Sequence, residues 1–376
     1  MDNKYSLQLL LFILFSLLWL DTSMSAQNIA TFVDKHGRFK VFDNGKIQDL
    51  EHEEISEVHI GGDYVVYKDN IKQTKRYAAG EIEHITDDQK IKFYPTQYFM
   101  GVVEGLKGEI LKVRYGDEEE LLTIDLQRDG FAVGDSVLVF IDIDKYLSVY
   151  YKGDTEELTG RFPNADNFKV GCNSVAYIDP SGSFLIFHEG AIEEVSHREP
   201  AFKDDEYQYH VGDNFVVFVN EMDKLMAYDE GELTTLTEFV PKDYIAGDKI
   251  AAFVDDGGKY QVYWKGSVKE LCPRPPKFQA IEDNTLAYVD DRGYLNVFDK
   301  GKNQVLETYQ PKKIEVFNGI VAYLDLDGRL QAYYEGKKLK VSSEIVKDFR
   351  LVGRVILYTI GNDETKIFHD GNHYSG

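Results

Sequence analysis

Leu286 to Gly301 reads Leu-Ala-Tyr-Val-Asp-Asp-Arg-Gly-Tyr-Leu-Asn-Val-Phe-Asp-Lys-Gly, and its spelling organises the whole chain. Two runs rich in β-branched and aromatic residues flank an Asp-x-x-Gly turn, Asp290 to Gly293. A second glycine turn closes at Gly301, so one β-hairpin passes directly into another. The same spelling returns at Val175 to Gly190, Ala251 to Gly266 and Val321 to Gly336, with a relative at Ile29 to Gly45.

The second-turn glycines are Gly45, Gly80, Gly116, Gly153, Gly190, Gly231, Gly266, Gly301, Gly336 and Gly371, ten copies spaced 35 to 41 residues apart. A fixed period of this size is the mark of a solenoid, a propeller or an array. The first turn recurs as Asp34 with Gly37, Asp179 with Gly182, Asp255 with Gly258, Asp290 with Gly293, and Asp325 with Gly328. The aspartate side chain accepts a backbone N–H two residues on and the glycine takes positive φ, so the spelling is explained as turn chemistry without a ligand.

Copy eight resolves into four runs, Lys277 to Ile281, Leu286 to Val289, Tyr294 to Phe298 and Gln304 to Thr308, joined by short polar turns. Connections this tight make neighbouring strands antiparallel, and no helical periodicity interrupts them. One such sheet cannot bury both of its faces, whereas stacked repeats can. Copy ten ends after a third run, Lys366 to His369, and copy one starts at its second, a count of 38 strands. Copies two and three, from about Glu54 to Thr123, lose the turn spelling, through drift in tolerant repeats or through specialisation for a partner.

On these features the chain resembles the β-propeller superfamily, all-β rings of four-stranded meander blades. The resemblance covers about residues 28 to 374. It rests on period, strand number and turn chemistry. The tryptophans of Asp-box and YWTD propellers and the Gly-His and Trp-Asp dipeptides of WD repeats are absent, so no subfamily follows and no functional residue is carried over. The period admits one ring of nine or ten blades, two smaller propellers, or a closed superhelical array. A seam near 191–206, in the longest interval, would mark a domain boundary or a blade insertion.

The chain has 376 residues and a formal charge of -23. That charge excludes the basic footprint of a nucleic-acid binder. It reads as a soluble, self-repelling surface, with affinity for a cation or a basic partner as the other reading. Lys4, an apolar run from Leu7 to Leu20 and small residues at Ser23, Ser25 and Ala26 form a signal-peptide pattern over 1–26, ahead of a propeller region at 27–376. A secreted or periplasmic protein is expected, with no membrane span after cleavage. The two cysteines, Cys172 and Cys272, lie at different places in their repeats, and the sequence does not decide whether they pair.

Prolines end the outer strands and turn the chain into the next blade. Basic residues accompany them at Arg161, Arg198, Lys242, Arg274, Lys277, Lys312 and Lys313, giving a candidate ligand ring on the linker face or simply solvated charge. The Asp-rich turns lack the spacing of a Ca²⁺ loop, and the histidines lack that of a zinc site. No nucleophile elbow or phosphate loop is present. No catalytic residue, metal ligand or cofactor is therefore assigned. The sequence reading is a non-catalytic binding or scaffold module for a protein or a glycan. A propeller hydrolase or lyase acting on a polysaccharide or peptide is the alternative, and a self-assembling envelope component is a third.

Overall fold

The computed structural model describes residues 28–376 apart from 54, 117, 161–166, 204–205, 318 and 362. Residues 1–26, where a signal peptide is expected, and Arg161 lie outside the described residues. Within them the chain forms 40 strands and no α-helix, because apolar runs of five or six residues between polar turns leave no room for one. No described helix is long and apolar enough to cross a membrane.

Strands Phe278–Glu282, Thr285–Val289, Leu295–Asp299 and Lys302–Glu307 form one four-stranded antiparallel blade, the eighth. Its register runs Ala280, Ala287, Val297, Gln304 across the sheet. Side chains alternate between the faces of a strand, so the two middle strands divide their residues between two neighbours. Leu286, Tyr288 and Phe298 pack on Val262 and Tyr260 of blade seven. Ala287, Val289, Leu295 and Val297 pack on Val321 and Tyr323 of blade nine. Burial on both faces is why these strands read as unbroken apolar runs.

The same division recurs at every junction, and it closes the ring. Ten buried clusters join successive blades, from the one linking blades one and two through Phe39, Val41, Val65 and Tyr67 to the one linking blades nine and ten through Leu330, Ala332, Ile356 and Tyr358. The closing cluster sets Ala30, Phe32 and Phe42 of blade one against Val355, Leu357 and Ile367 of blade ten. Arg350 Nη2 donates to the Thr31 carbonyl at 2.6 Å across that junction, and the His369 and Phe42 rings meet edge-on at 5.3 Å. The ten copies form one ring and not two smaller ones.

The tail corrects the strand count expected for copy ten. Asn372–Ser375 is a fourth strand, pairing Tyr374 with Ile367. Its few polar residues look like a loose tail, but Tyr374 stacks edge-on against Phe42 of blade one at 5.0 Å, so the short strand is held by the closing junction. Lys337–Val352 is continuous: its start is the outer strand of blade nine and its end the inner strand of blade ten. Those two blades thus form one seven-stranded sheet. Blade one shows three strands among the described residues. In the stretch 191–206, the outer strand Ala191–Ser196 of blade five is followed by a small hairpin, Phe202–Lys203 with Glu206–Tyr207.

At the turns, Asp290 Oδ1 accepts the N–H groups of Arg292 at 3.0 Å and Tyr294 at 2.8 Å, and Gly293 sits at φ +92°. Although burial opposes it, the N–H of Tyr294 and the Arg292 guanidinium hold the Asp290 carboxyl below its usual range. Asp34, Asp179 and Asp325 receive the equivalent pairs of N–H groups.

Around the inner edge the blades crowd until backbone meets backbone. A Cβ added to Gly171 would lie 2.1 Å from the Gly212 carbonyl oxygen, and Gly134, Gly212 and Gly247 face the next blade as closely. Gly171→Ala is expected to cost about 3 kcal/mol or more, because the obstacle is backbone and cannot rotate away. Gly257→Ala, with only the Asp255 carboxylate at 3.3 Å, should cost less than about 1 kcal/mol. Denaturant midpoints measure both, and equal losses would refute the steric collar.

Candidate functional site

Alternating strand direction gives the ring two faces. Turns from second to third strand emerge with the interblade linkers on a lower face; turns from first to second and third to fourth strand emerge on an upper one. The described basic residues among those singled out in the sequence are on the lower face. Arg198, Lys242, Arg274, Lys277 and Lys312 are exposed, on four successive linkers. Arg274 faces Asp291 at 3.6 Å, and Lys313 is taken up by Glu315 at 2.8 Å and Asp348 at 2.7 Å. Lys313 also donates to the Phe349 carbonyl at 2.5 Å and lies over the Phe349 ring.

Two features of the upper face were not singled out in the sequence. The first is a cavity of about 720 Å³ at the channel, lined by the inner strands of blades two to eight. Aliphatic residues such as Val133, Val170, Val211 and Ala246 form its wall, and Asp135, Cys172, Asp248 and Asp283 stand at the glycine collar. The collar is stitched between blades: Ser136 N donates to the Cys172 carbonyl at 3.0 Å, Asp213 N to that of Asp248 at 3.0 Å, and Asp248 N to that of Asp283 at 2.7 Å. A signal for it exists. Gly134, Gly171, Gly212 and Gly247 each stand 19 residues before a second-turn glycine.

Bringing these turns together concentrates negative charge. Burial, reinforced by Asp213 and Asp135, pushes the Asp248 carboxyl up, while the neighbouring Asp283 carboxyl and the Cys172 thiol oppose the rise. Burial and then Asp213 push Asp135 up as well. Cys172 donates to Asp248 Oδ1 at 3.5 Å, and burial among these carboxylates raises its thiol far above the range of a nucleophile. Burial and the nearby Lys169 ammonium lower His210, which also lines the cavity. Both cysteines are free thiols, Cys172 at the collar and Cys272 buried at the end of an outer strand. Among the described residues no group of three or more His, Cys, Asp or Glu is arranged to hold a metal ion.

The second feature is a groove of about 800 Å³ crossing the tops of blades three to six. Its floor is made of turns between first and second strands, at Ser136, Asn173 and Asn214, and its walls are Tyr98, Tyr115, Tyr150 and Tyr151 with Glu118, Glu119, Glu120 and Glu189. Elsewhere a tyrosine hydroxyl ties a blade to the one before it: Tyr77 to Asp43 at 2.9 Å, Tyr263 to Asp229 at 3.0 Å, Tyr333 to Asp299 at 2.9 Å. In blade three the position of that acid is Arg114, which turns to Glu119 at 3.1 Å. Tyr150, the corresponding residue of blade four, then forms groove wall, and Tyr98 and Tyr115 are left 52% and 64% exposed.

The family model that matches the chain is described as a 10-bladed beta propeller domain and covers residues 23–374. No curated protein matches the chain. Among solved structures, the tricorn protease is 11% identical over 94% of this chain, with a TM-score of 0.31; the chain spans 47% of its length. PorZ, a surface component of the type IX secretion system of Porphyromonas gingivalis, is 10% identical over 90% of this chain and 56% of its own, with a TM-score of 0.30. BamB of Moraxella catarrhalis is 12% identical over 76% of this chain and 96% of its own, with a TM-score of 0.30.

The raised carboxyls give a pH test. A carboxyl held above its unfolded value keeps its proton in the native state while the unfolded chain loses one, so stability falls as pH rises from the unfolded carboxylate range through the native one. Asp248→Asn removes that loss: melting temperature should rise by about 1–3 °C at pH 7 and by less at pH 4. A fall at pH 7 would show that the Asp248 charge holds the collar together.

Proposed function

The chain belongs to the 10-bladed β-propeller domain family, and on that premise we propose that it is an exported, non-catalytic binding module that holds a protein partner in the upper-face groove of blades three to six. The groove carries this reading. Exposed aromatic rings on a rigid ring of blades supply contact area at little entropic cost, and polar groups between them supply direction. Blade three, which supplies Tyr98 and Tyr115, is also where the repeat departs from its own pattern, so that aromatic surface is not imposed by packing. The N-terminal apolar run from Leu7 to Leu20 supports export.

One observation favours the hydrolase alternative. Asp248 and Asp283 both line the open cavity at the collar, and acid–base catalysis by paired carboxylates draws on such neighbouring carboxyls. The collar accounts for the pair in another way: their backbones are bonded to each other across the blade junction, and the carboxyls meet because the turns do.

The two readings separate by experiment. The purified protein and a Tyr98→Ala/Tyr115→Ala variant are used to capture partners from the source cell surface, and turnover is assayed on polysaccharide and peptide panels. A protein retained by the parent and lost by at least about tenfold in the variant, at unchanged melting temperature, is the expected result. Turnover abolished by Asp248→Asn/Asp283→Asn would establish the hydrolase instead.

A further inference from the structure

Resting on the groove as the binding site, we propose that it is built for a cationic hydrogen-bond donor, an arginine or lysine side chain presented by the partner polypeptide. Three observations converge. First, the groove is acidic even for this protein. Glu118, Glu120 and Glu189 line it, together with Glu119, which already holds Lys112 at 2.8 Å and Arg114 at 3.1 Å; Lys152 is the cation among the lining residues. That ammonium is drawn over the Tyr151 ring, 4.8 Å from its centroid. An anionic or purely apolar ligand would meet repulsion or unpaired carboxylates here.

Second, the walls are aromatic. Tyr98 and Tyr115 present exposed rings, and a guanidinium or ammonium over a ring face is attracted by its quadrupole while its alkyl stem covers apolar surface. Lys152 on Tyr151 is the protein's own instance of the contact.

Third, the floor holds an acceptor that the protein does not use. Asn214 lies in the groove at 9% exposure, and its Oδ1 has no hydrogen-bond partner. Its neighbours are committed: Ser136 Oγ donates to Asn173 Oδ1 at 2.5 Å, and Asn173 Nδ2 donates to Asp213 Oδ1 at 2.5 Å. A buried acceptor without a donor is costly unless a bound group supplies one. The side chain is set there by the backbone, which Asn214 turns at φ +51° and whose carbonyl receives the Glu230 N–H at 3.2 Å. Carboxylates at the rim and rings on the walls match the charge and the stem of one basic side chain, and the unpaired Asn214 carbonyl oxygen lies buried just beneath the floor.

Calorimetry of the purified protein with a capped Gly-Arg-Gly peptide, and with the same peptide carrying neutral citrulline, tests the assignment. The arginine peptide should bind, weaken as salt is raised, and weaken roughly three- to tenfold in Glu120→Gln and in Glu189→Gln, both exposed positions that leave the fold intact. The citrulline peptide should bind at least about tenfold more weakly. Equal binding of the two peptides, insensitivity to the Gln variants, or tighter binding of neutral oligosaccharides would overturn it; tighter binding of spermidine would replace a peptide side chain with a free polyamine. If the captured partner still depends on Tyr98 and Tyr115 while neither peptide binds, the cation assignment fails and the binding module stands. If the partner ignores the tyrosines, both fail.

Discussion

A four-stranded sheet of five-residue strands has two apolar faces and no means of covering either, and this need dictates the molecule. Each blade hides one face on the blade before it and the other on the blade after, so a row of blades always has two bare ends unless it closes. Tyr288 and Ala287 are adjacent in sequence and buried in different junctions, at 1% and 0% exposure. The chain closes by bringing Ala30, Phe32 and Phe42 to Val355, Leu357 and Ile367. Burial of large aromatics at each junction is worth several kcal/mol apiece, so the closing contact is as strong as any other and the ring has no weak seam by composition.

Closure has an electrostatic consequence. Packing the blades radially forces their inner strands together at one mouth until the turn backbones touch, and only glycine fits at positions such as Gly171. The residues after those glycines are then crowded around one opening. In blades four, six and seven they are Asp135, Asp213 and Asp248. Charges that would be harmless on separate hairpins are thereby partly buried among like charges, and the Asp135 and Asp248 carboxyls are pushed up. Perturbed carboxyls often mark active sites, but they also follow from steric crowding, and here the interblade backbone bonds supply the cause.

The repeat was legible in the sequence because its causes are local. Asp-x-x-Gly is a turn whose hydrogen bonds close within four residues, as at Asp290 and Tyr294, and an apolar run of five is a doubly buried strand wherever it occurs. Ring closure and the strand Asn372–Ser375 were not legible, since both depend on contacts between the two ends of the chain, Phe42 with Tyr374 being one. The site was the least legible part. Tyr98, Tyr150, Asn173 and Asn214 come from four blades, and nothing in the spelling of any one repeat says that they share a groove. The basic linker residues stood out because proline flags them, yet local prominence is no guide to convergence: Lys313 is occupied by Glu315 and Asp348.

What the sequence did carry about the site is an exception to its own rule. A period repeated ten times states what packing requires, so a departure from it marks a place where packing is not the constraint. The third-strand acid that receives a tyrosine hydroxyl at three other junctions is Arg114 in blade three, and the aromatic that should stand beside it is Val113. Without that tie the tops of blades three and four part, Tyr150 faces a groove, and Arg114 spends its charge on Glu119. Drift alone would erase the tie and leave a featureless gap. This gap holds two exposed tyrosines, a predominantly acidic rim and a buried amide oxygen with no donor, and packing alone explains none of them. Asn284, at the same place in blade eight, also keeps an unpaired amide oxygen, so it is the acidic rim and the exposed rings gathered beside Asn214, rather than the amide alone, that a ligand would complete.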